Sequence, residues 1–122
     1  MRLYILVALG GAIGSVLRFA VAQGLSGRPL PPFPWATFAV NILGSFAVGV
    51  AATLLSLRYP YLRAFFVVGV LGGFTTFSTF EWDLWALQQT GRPGLAWIYL
   101  ITSCGAGYLA VCLGTWLSAP RP

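Results

Sequence analysis

Three long stretches of this chain carry no formal charge: Pro29 to Leu57, Ala64 to Phe80 and Pro93 to Pro120. A helix that crosses a bilayer needs about 20 consecutive, mostly apolar residues, and each stretch supplies most or all of one crossing. The N-terminal segment from Leu3 to about Leu25 makes a fourth, provided that Arg18 is held within the helix or near its end. In lipid every backbone N–H and C=O must be satisfied internally, which favours helices for segments of this kind. The expected fold is therefore an all-α membrane protein with spans at about 3–25, 34–57, 62–89 and 93–117. Charged residues make up only 7% of the chain, against roughly 25% in a soluble domain, so a water-facing surface could not be covered.

The connections are short, so residues 1–122 read as one four-helix transmembrane domain with no room for a soluble module. Span one ends in "SGRPLPPFP", where glycine and four prolines stop a helix. Met1-Arg2 before "LYILVALGGAIG" imitates a secretory signal, but the apolar stretch outruns a signal's usual length. The seven basic residues are all arginine. They are scattered at predicted helix ends, where they reach headgroup level rather than forming a nucleic-acid surface. Arg2, Arg58, Arg63 and Arg121 would lie on one side, with Arg28, Arg92 and in one reading Arg18 on the other. So weak a bias permits insertion either way round and pairing of antiparallel copies. Cys104 and Cys112 lie eight apart on one helix, too far to bond each other, and the chain has no histidine to complete a metal site.

Function must therefore reside in polar groups at membrane depth. Asn41 lies in the middle of span two, within "TFAVNILGSFAVG", where an unpaired carboxamide is costly. Interhelical hydrogen bonding, worth about 1 kcal/mol per bond, and a functional role both explain it. Gly10, Gly14 and Ser15, Gly44 and Ser45, and Gly105 and Gly107 offer small surfaces for close helix contact.

Span three carries "GGFTTFSTFEWD" at Gly72 to Asp83. Two glycines weaken a helix by about 1 kcal/mol each, and Thr75, Thr76, Ser78 and Thr79 can satisfy backbone groups that a break would release. A kink with hydroxyls bonded to the preceding turn is the simpler alternative. Phe74, Phe77 and Phe80 recur every three residues and share a helix face. Such a stripe ordinarily packs against lipid or core, but aromatic rings have positive edges, and a series of edges alternating with hydroxyls would carry a small anion without trapping it. Glu81 and Asp83 follow, facing a water-filled vestibule or an arginine; no nucleophile or metal constellation accompanies them to make an enzyme. In span four, Tyr99 and Ser103 stand one turn apart and extend a polar track.

Taken together, "GGAIGSVLRF", "TFAVNILGSFAVG", "GVLGGFTTFSTF" and the Tyr99 to Ser103 spacing resemble the CrcB/Fluc family of small fluoride channels, in order and over essentially the whole chain. The resemblance implies a passive fluoride-selective channel in a bacterial-type inner membrane, exporting fluoride to relieve its toxicity, with no enzymatic activity. It implies a dual-topology antiparallel homodimer with two pores and a span three broken near its centre. Phe77 and Phe80 match the pore phenylalanines, Asn41 the donor from span two, and Ser78, Thr79, Tyr99 and Ser103 the polar track. Arg18 matches the arginine at the pore entrance. A structural Na+ is implied at the dimer centre, held by the backbone carbonyls of Gly72 and Thr75 from both subunits. Asp83 stands where many relatives have glutamate, Glu81 is an additional acid, and Phe33 replaces a small or polar residue. A small antiparallel multidrug exporter is the nearest rival, but it needs an embedded carboxylate, usually in span one, which has none. An accessory subunit, whose polar residues only join helices, would tolerate aliphatic replacements of Phe77 and Phe80.

Overall fold

The computed structural model describes residues 1–25, 32–55 and 58–120, which form helices and short turns. Arg28, Arg121 and the last two residues of the second predicted span lie outside the described residues. In order, the elements are α1 (Arg2–Leu25), α2 (Trp35–Leu54), α3 (Pro60–Leu62), a π-helical stretch (Arg63–Leu71), α4 (Gly72–Phe74), α5 (Phe77–Gln89) and α6 (Pro93–Ser118). Four helical stretches, Arg2–Leu25, Trp35–Leu54, Pro60–Gln89 and Pro93–Ser118, are long and apolar enough to cross a membrane.

Local chemistry sets the boundaries. Pro60 and Pro93 occupy first-turn positions of α3 and α6, where proline's fixed φ suits a helix and its missing N–H costs nothing. Gly91, at φ 73°, closes α5. Its left-handed conformation lets Arg92 N–H reach the Leu87 carbonyl at 2.9 Å and Gly91 N–H the Gln88 carbonyl at 3.1 Å, the double bond pattern that satisfies a helix's last carbonyls. Arg63 performs a similar service elsewhere: its guanidinium donates to the Leu55 carbonyl at 2.9 Å, just beyond the end of α2. In the π-helical stretch the turn is wider, and Gly72 N–H reaches the carbonyls of both Gly69 and Val67.

Two seams of small residues hold the helices together. The most extensive contacts run between α2 and α6 and between α1 and the π-helical stretch. At the first seam a methyl group on Gly49 would strike the Val111 carbonyl, and one on Gly114 the Phe46 carbonyl. At the second, methyls on Gly10 and Gly14 would strike the carbonyls of Phe65 and Val70. These are backbone-to-backbone approaches, which side chains would prevent and which membrane helices use for van der Waals packing. Gly107 approaches Ser45, whereas a methyl on Gly105 would meet nothing among the described residues, so its predicted packing role finds no partner among them.

The buried core is small: Phe80, Leu87, Ala96 and Tyr99, with Phe33, Phe38, Leu84, Leu95 and Leu100 packed around it where α5 meets α6. Outside it, Leu9, Val16, Phe19, Ile101 and Leu109 are exposed. In water that surface would drive association; against lipid tails it carries no such penalty.

Candidate functional site

Between α4 and α5 the backbone leaves the helix. Thr75 (φ −74°, ψ 155°) and Thr76 (φ −149°, ψ 121°) are extended. An uninterrupted helix would pair Thr76 N–H with the Gly72 carbonyl and Thr79 N–H with the Thr75 carbonyl. Instead, Thr76 N–H donates to Asn41 Oδ1 at 2.9 Å, and Thr79 N–H donates to Thr76 Oγ1 at 3.3 Å. Both donors have been diverted to side chains, and the carbonyls of Gly72 and Thr75 lose their helical partners.

Asn41 is placed for this by α2, whose Gly44 lies one turn further on. A methyl on Gly44 would strike Thr75 Cγ2, so only glycine lets α2 approach the threonine pair. The carboxamide then bonds both polar groups of one peptide residue, accepting from Thr76 N–H and donating through Nδ2 to the Thr76 carbonyl at 3.0 Å. Both of these partners lie within the same chain. A primary amide has two N–H donors, so one remains beyond the bond to Thr76. Asn41 lines a recess of about 280 Å³ together with Ser45, Thr75, Thr76 and Phe77.

Thr76 is the N-cap of α5; its hydroxyl also donates to Thr79 Oγ1 at 3.0 Å. Capping of this kind is typically worth about 1 kcal/mol. Thr75 turns its hydroxyl back to the Leu71 carbonyl at 2.9 Å. On the other side of the threonines, Arg18 and Ser15 of α1 join Thr37, Thr76 and Thr79 around an open recess of about 440 Å³. Arg18 is the cation among the residues that line this recess.

The aromatic groups form a row. Phe77 and Phe80 have ring centroids 6.1 Å apart, Phe80 and Tyr99 5.0 Å, and Tyr99 and Phe33 5.1 Å with planes 83° apart. The last pair meets edge to face, which suits the ring quadrupoles, and the other two are tilted. The row passes from outside to inside: Phe77 is 74% exposed, Phe80 5% and Tyr99 0%. Tyr99 donates its hydroxyl to Asp83 Oδ2 at 3.4 Å.

The residues singled out from sequence fall into three groups. Phe77, Phe80 and Tyr99 touch in series, and Asn41 and Thr79 meet through Thr76. Arg18 shares the larger recess with Thr79. Ser103 carries a buried Oγ with no hydrogen-bond partner among the described residues, and Ser78 is exposed on the protomer surface. Sequence reasoning counts Thr76 among the hydroxyls that would satisfy a break, as its bond from Thr79 N–H does, but places neither Thr76 nor Phe33 among the pore residues. A hydroxyl residue directly before a resumed helix is an N-cap signal that could have identified the first; the second meets Trp35 and Phe38 of α2 as well as Tyr99 of α6, and no local pattern marks the contact with Tyr99.

Among known proteins, residues 5–115 match the family described as CrcB-like protein, Camphor Resistance (CrcB). The chain is 42% identical over 118 residues to a protein of Solibacter usitatus (strain Ellin6076), covering 94% of this chain and 97% of the relative. It is 46% identical over 112 residues to one of Rhizobium etli (strain CIAT 652), covering 89% and 90%. A protein of Thermus thermophilus is 46% identical over 114 residues, covering 91% and 89%. Each of these relatives is named a fluoride-specific ion channel FluC.

Proposed function

Because the chain belongs to the CrcB-like family, we propose that it is a passive fluoride-selective channel, an ion-conducting protein and not an enzyme, which exports fluoride and relieves its toxicity. The observation that carries this reading is the row Phe77, Phe80, Tyr99 running from an exposed ring into the core. Ring edges offer positive electrostatic potential without a full charge, which suits an ion that must both enter and leave. The row starts beside the amide end of a resumed helix, α5, whose first-turn N–H groups and dipole also favour an anion.

In this reading span three stays discontinuous at Thr75 and Thr76 in the bilayer, and residues 1–122 act as one four-helix domain. Fluoride enters past Arg18, whose charge concentrates anions in the larger recess. It then meets the free N–H of Asn41, the edges of Phe77 and Phe80, and the hydroxyls of Ser78, Thr79, Tyr99 and Ser103. The unpartnered Ser103 Oγ supports its place in such a track, since a buried hydroxyl without a partner carries a desolvation cost. Two antiparallel copies with two pores make the active unit, seated in the inner membrane; the exposed Phe77 is the ring that a second copy would cover.

The carbonyls of Gly72 and Thr75 suit a structural Na+ at the dimer centre. Both are neutral oxygens, the donor type that a hard monovalent cation accepts, and both have lost their helical donors. When bound, the ion supplies a fixed positive charge that holds the carbonyl ends of two interrupted helices together.

Growth tests the proposal. In bacteria that lack their own fluoride exporter, expression of this protein is expected to restore growth in fluoride-containing medium. Expression at the membrane without protection would contradict it.

A further inference from the structure

The cation reading above names the Gly72 and Thr75 carbonyls as ligands but leaves open why they are available. Resting on that reading, we infer that Asn41 and Thr76 are positioning residues for the cation, which release the ligand carbonyls by capturing the N–H groups that would otherwise bond them. Asn41 Oδ1 takes Thr76 N–H at 2.9 Å, freeing Gly72. Thr76 Oγ1 takes Thr79 N–H at 3.3 Å, freeing Thr75. Neither side chain touches the ion.

The two captures are linked. Asn41 Nδ2 also binds the Thr76 carbonyl at 3.0 Å, which holds the residue extended and so keeps its hydroxyl at the start of α5. A carboxamide on α2 thus sets the geometry of both ligand carbonyls on span three. A carbonyl already serving a helical N–H has less to offer a cation, so loss of either capture returns a competitor to the ligand. Asn41 then has two duties that can be separated: its oxygen serves the cation site, and its spare N–H serves the anion path.

The separation defines the experiment, which reads sodium binding without reading flux. The melting temperature of the purified, detergent-solubilised protein is followed as sodium chloride replaces N-methylglucamine chloride at constant ionic strength. The wild type is expected to be stabilised with a defined sodium midpoint. Asn41→Leu and Thr76→Val should each raise that midpoint by roughly tenfold or more, the usual scale for loss of a group that orients a metal ligand. Asn41→Asp keeps an acceptor for Thr76 N–H but loses the donor to the Thr76 carbonyl, so its midpoint should rise less than that of Asn41→Leu while its fluoride efflux falls. Thr53→Val serves as the control, because that hydroxyl bonds only the Gly49 carbonyl of its own helix; its midpoint should not move. Thr76→Val carries the test if Asn41→Leu yields no folded protein, since it leaves the Asn41 side chain intact. Wild-type midpoints in Asn41→Leu and Thr76→Val would overturn the inference alone. A wild type indifferent to sodium would overturn the cation reading and the inference with it.

Discussion

The seam between α2 and α6 and the extended pair Thr75–Thr76 both bring backbone close to another element, by opposite means. At the seam the chain removes side chains: Gly49 and Gly114 let each helix touch the other's carbonyls, and every backbone group stays in its own helical ladder. At the threonines it adds side chains: Asn41, Thr76 and Gly44 together let α2 hold an interrupted segment by its peptide groups. A seam of the first kind gives adhesion without chemistry. The second interrupts the helical ladder, leaving two carbonyls without their helical donors and a new helix N-terminus, the features with which interrupted membrane helices hold ions.

The largest effect should come from the seam. Gly114→Leu is expected to cost at least about 3 kcal/mol through overpacking and to remove folded protein, read as loss of a monodisperse peak on size exclusion. Gly94→Ala, at a position with open space around it, should leave that peak unchanged. Equal behaviour of the two would break the comparison. Next comes Phe80→Ile, which keeps bulk but removes the ring edge and its contacts with Phe77 and Tyr99. A favourable contact to the anion worth about 1.4 kcal/mol at the barrier is tenfold in rate. Fluoride efflux from liposomes should therefore fall by about tenfold or more while the protein still assembles.

Asn41→Asp sharpens the comparison on the polar side. It puts an acid beside the proposed anion path and removes the carboxamide donor, so fluoride efflux should fall by several-fold at least; normal efflux would make Asn41 only an interhelical bond. The smallest effect is expected of Thr102→Val. Its exposed hydroxyl bonds back to the Ile98 carbonyl at 2.6 Å, within one helix, and stability should change by no more than about 0.5 kcal/mol, measured by thermal denaturation.

Much of the helical layout was legible because long uncharged runs and prolines mark helices and their starts without reference to anything distant. Pro93, read as the start of span four, illustrates this; Pro60 and Gly91 carry signals of the same kind, although the sequence reading starts span three at Leu62, two residues late. The site was legible only in part. Phe77 and Phe80 could be paired from their spacing, but not the burial that separates them, because that depends on Tyr99 and Phe33 from other elements. Asn41 could be recognised as costly and in need of partners. That both partners belong to Thr76, 35 residues away, follows from how α2 docks on the interrupted segment, and local pattern carries no record of it.

The central claim is that this polar and aromatic arrangement conducts fluoride in preference to other halides. It is tested most directly by ion efflux from liposomes containing the purified protein, with fluoride and chloride followed by selective electrodes under an imposed gradient and a potassium ionophore. Rapid loss of fluoride with chloride retained is the predicted result. Retention of fluoride by liposomes that contain verified, folded protein would contradict it.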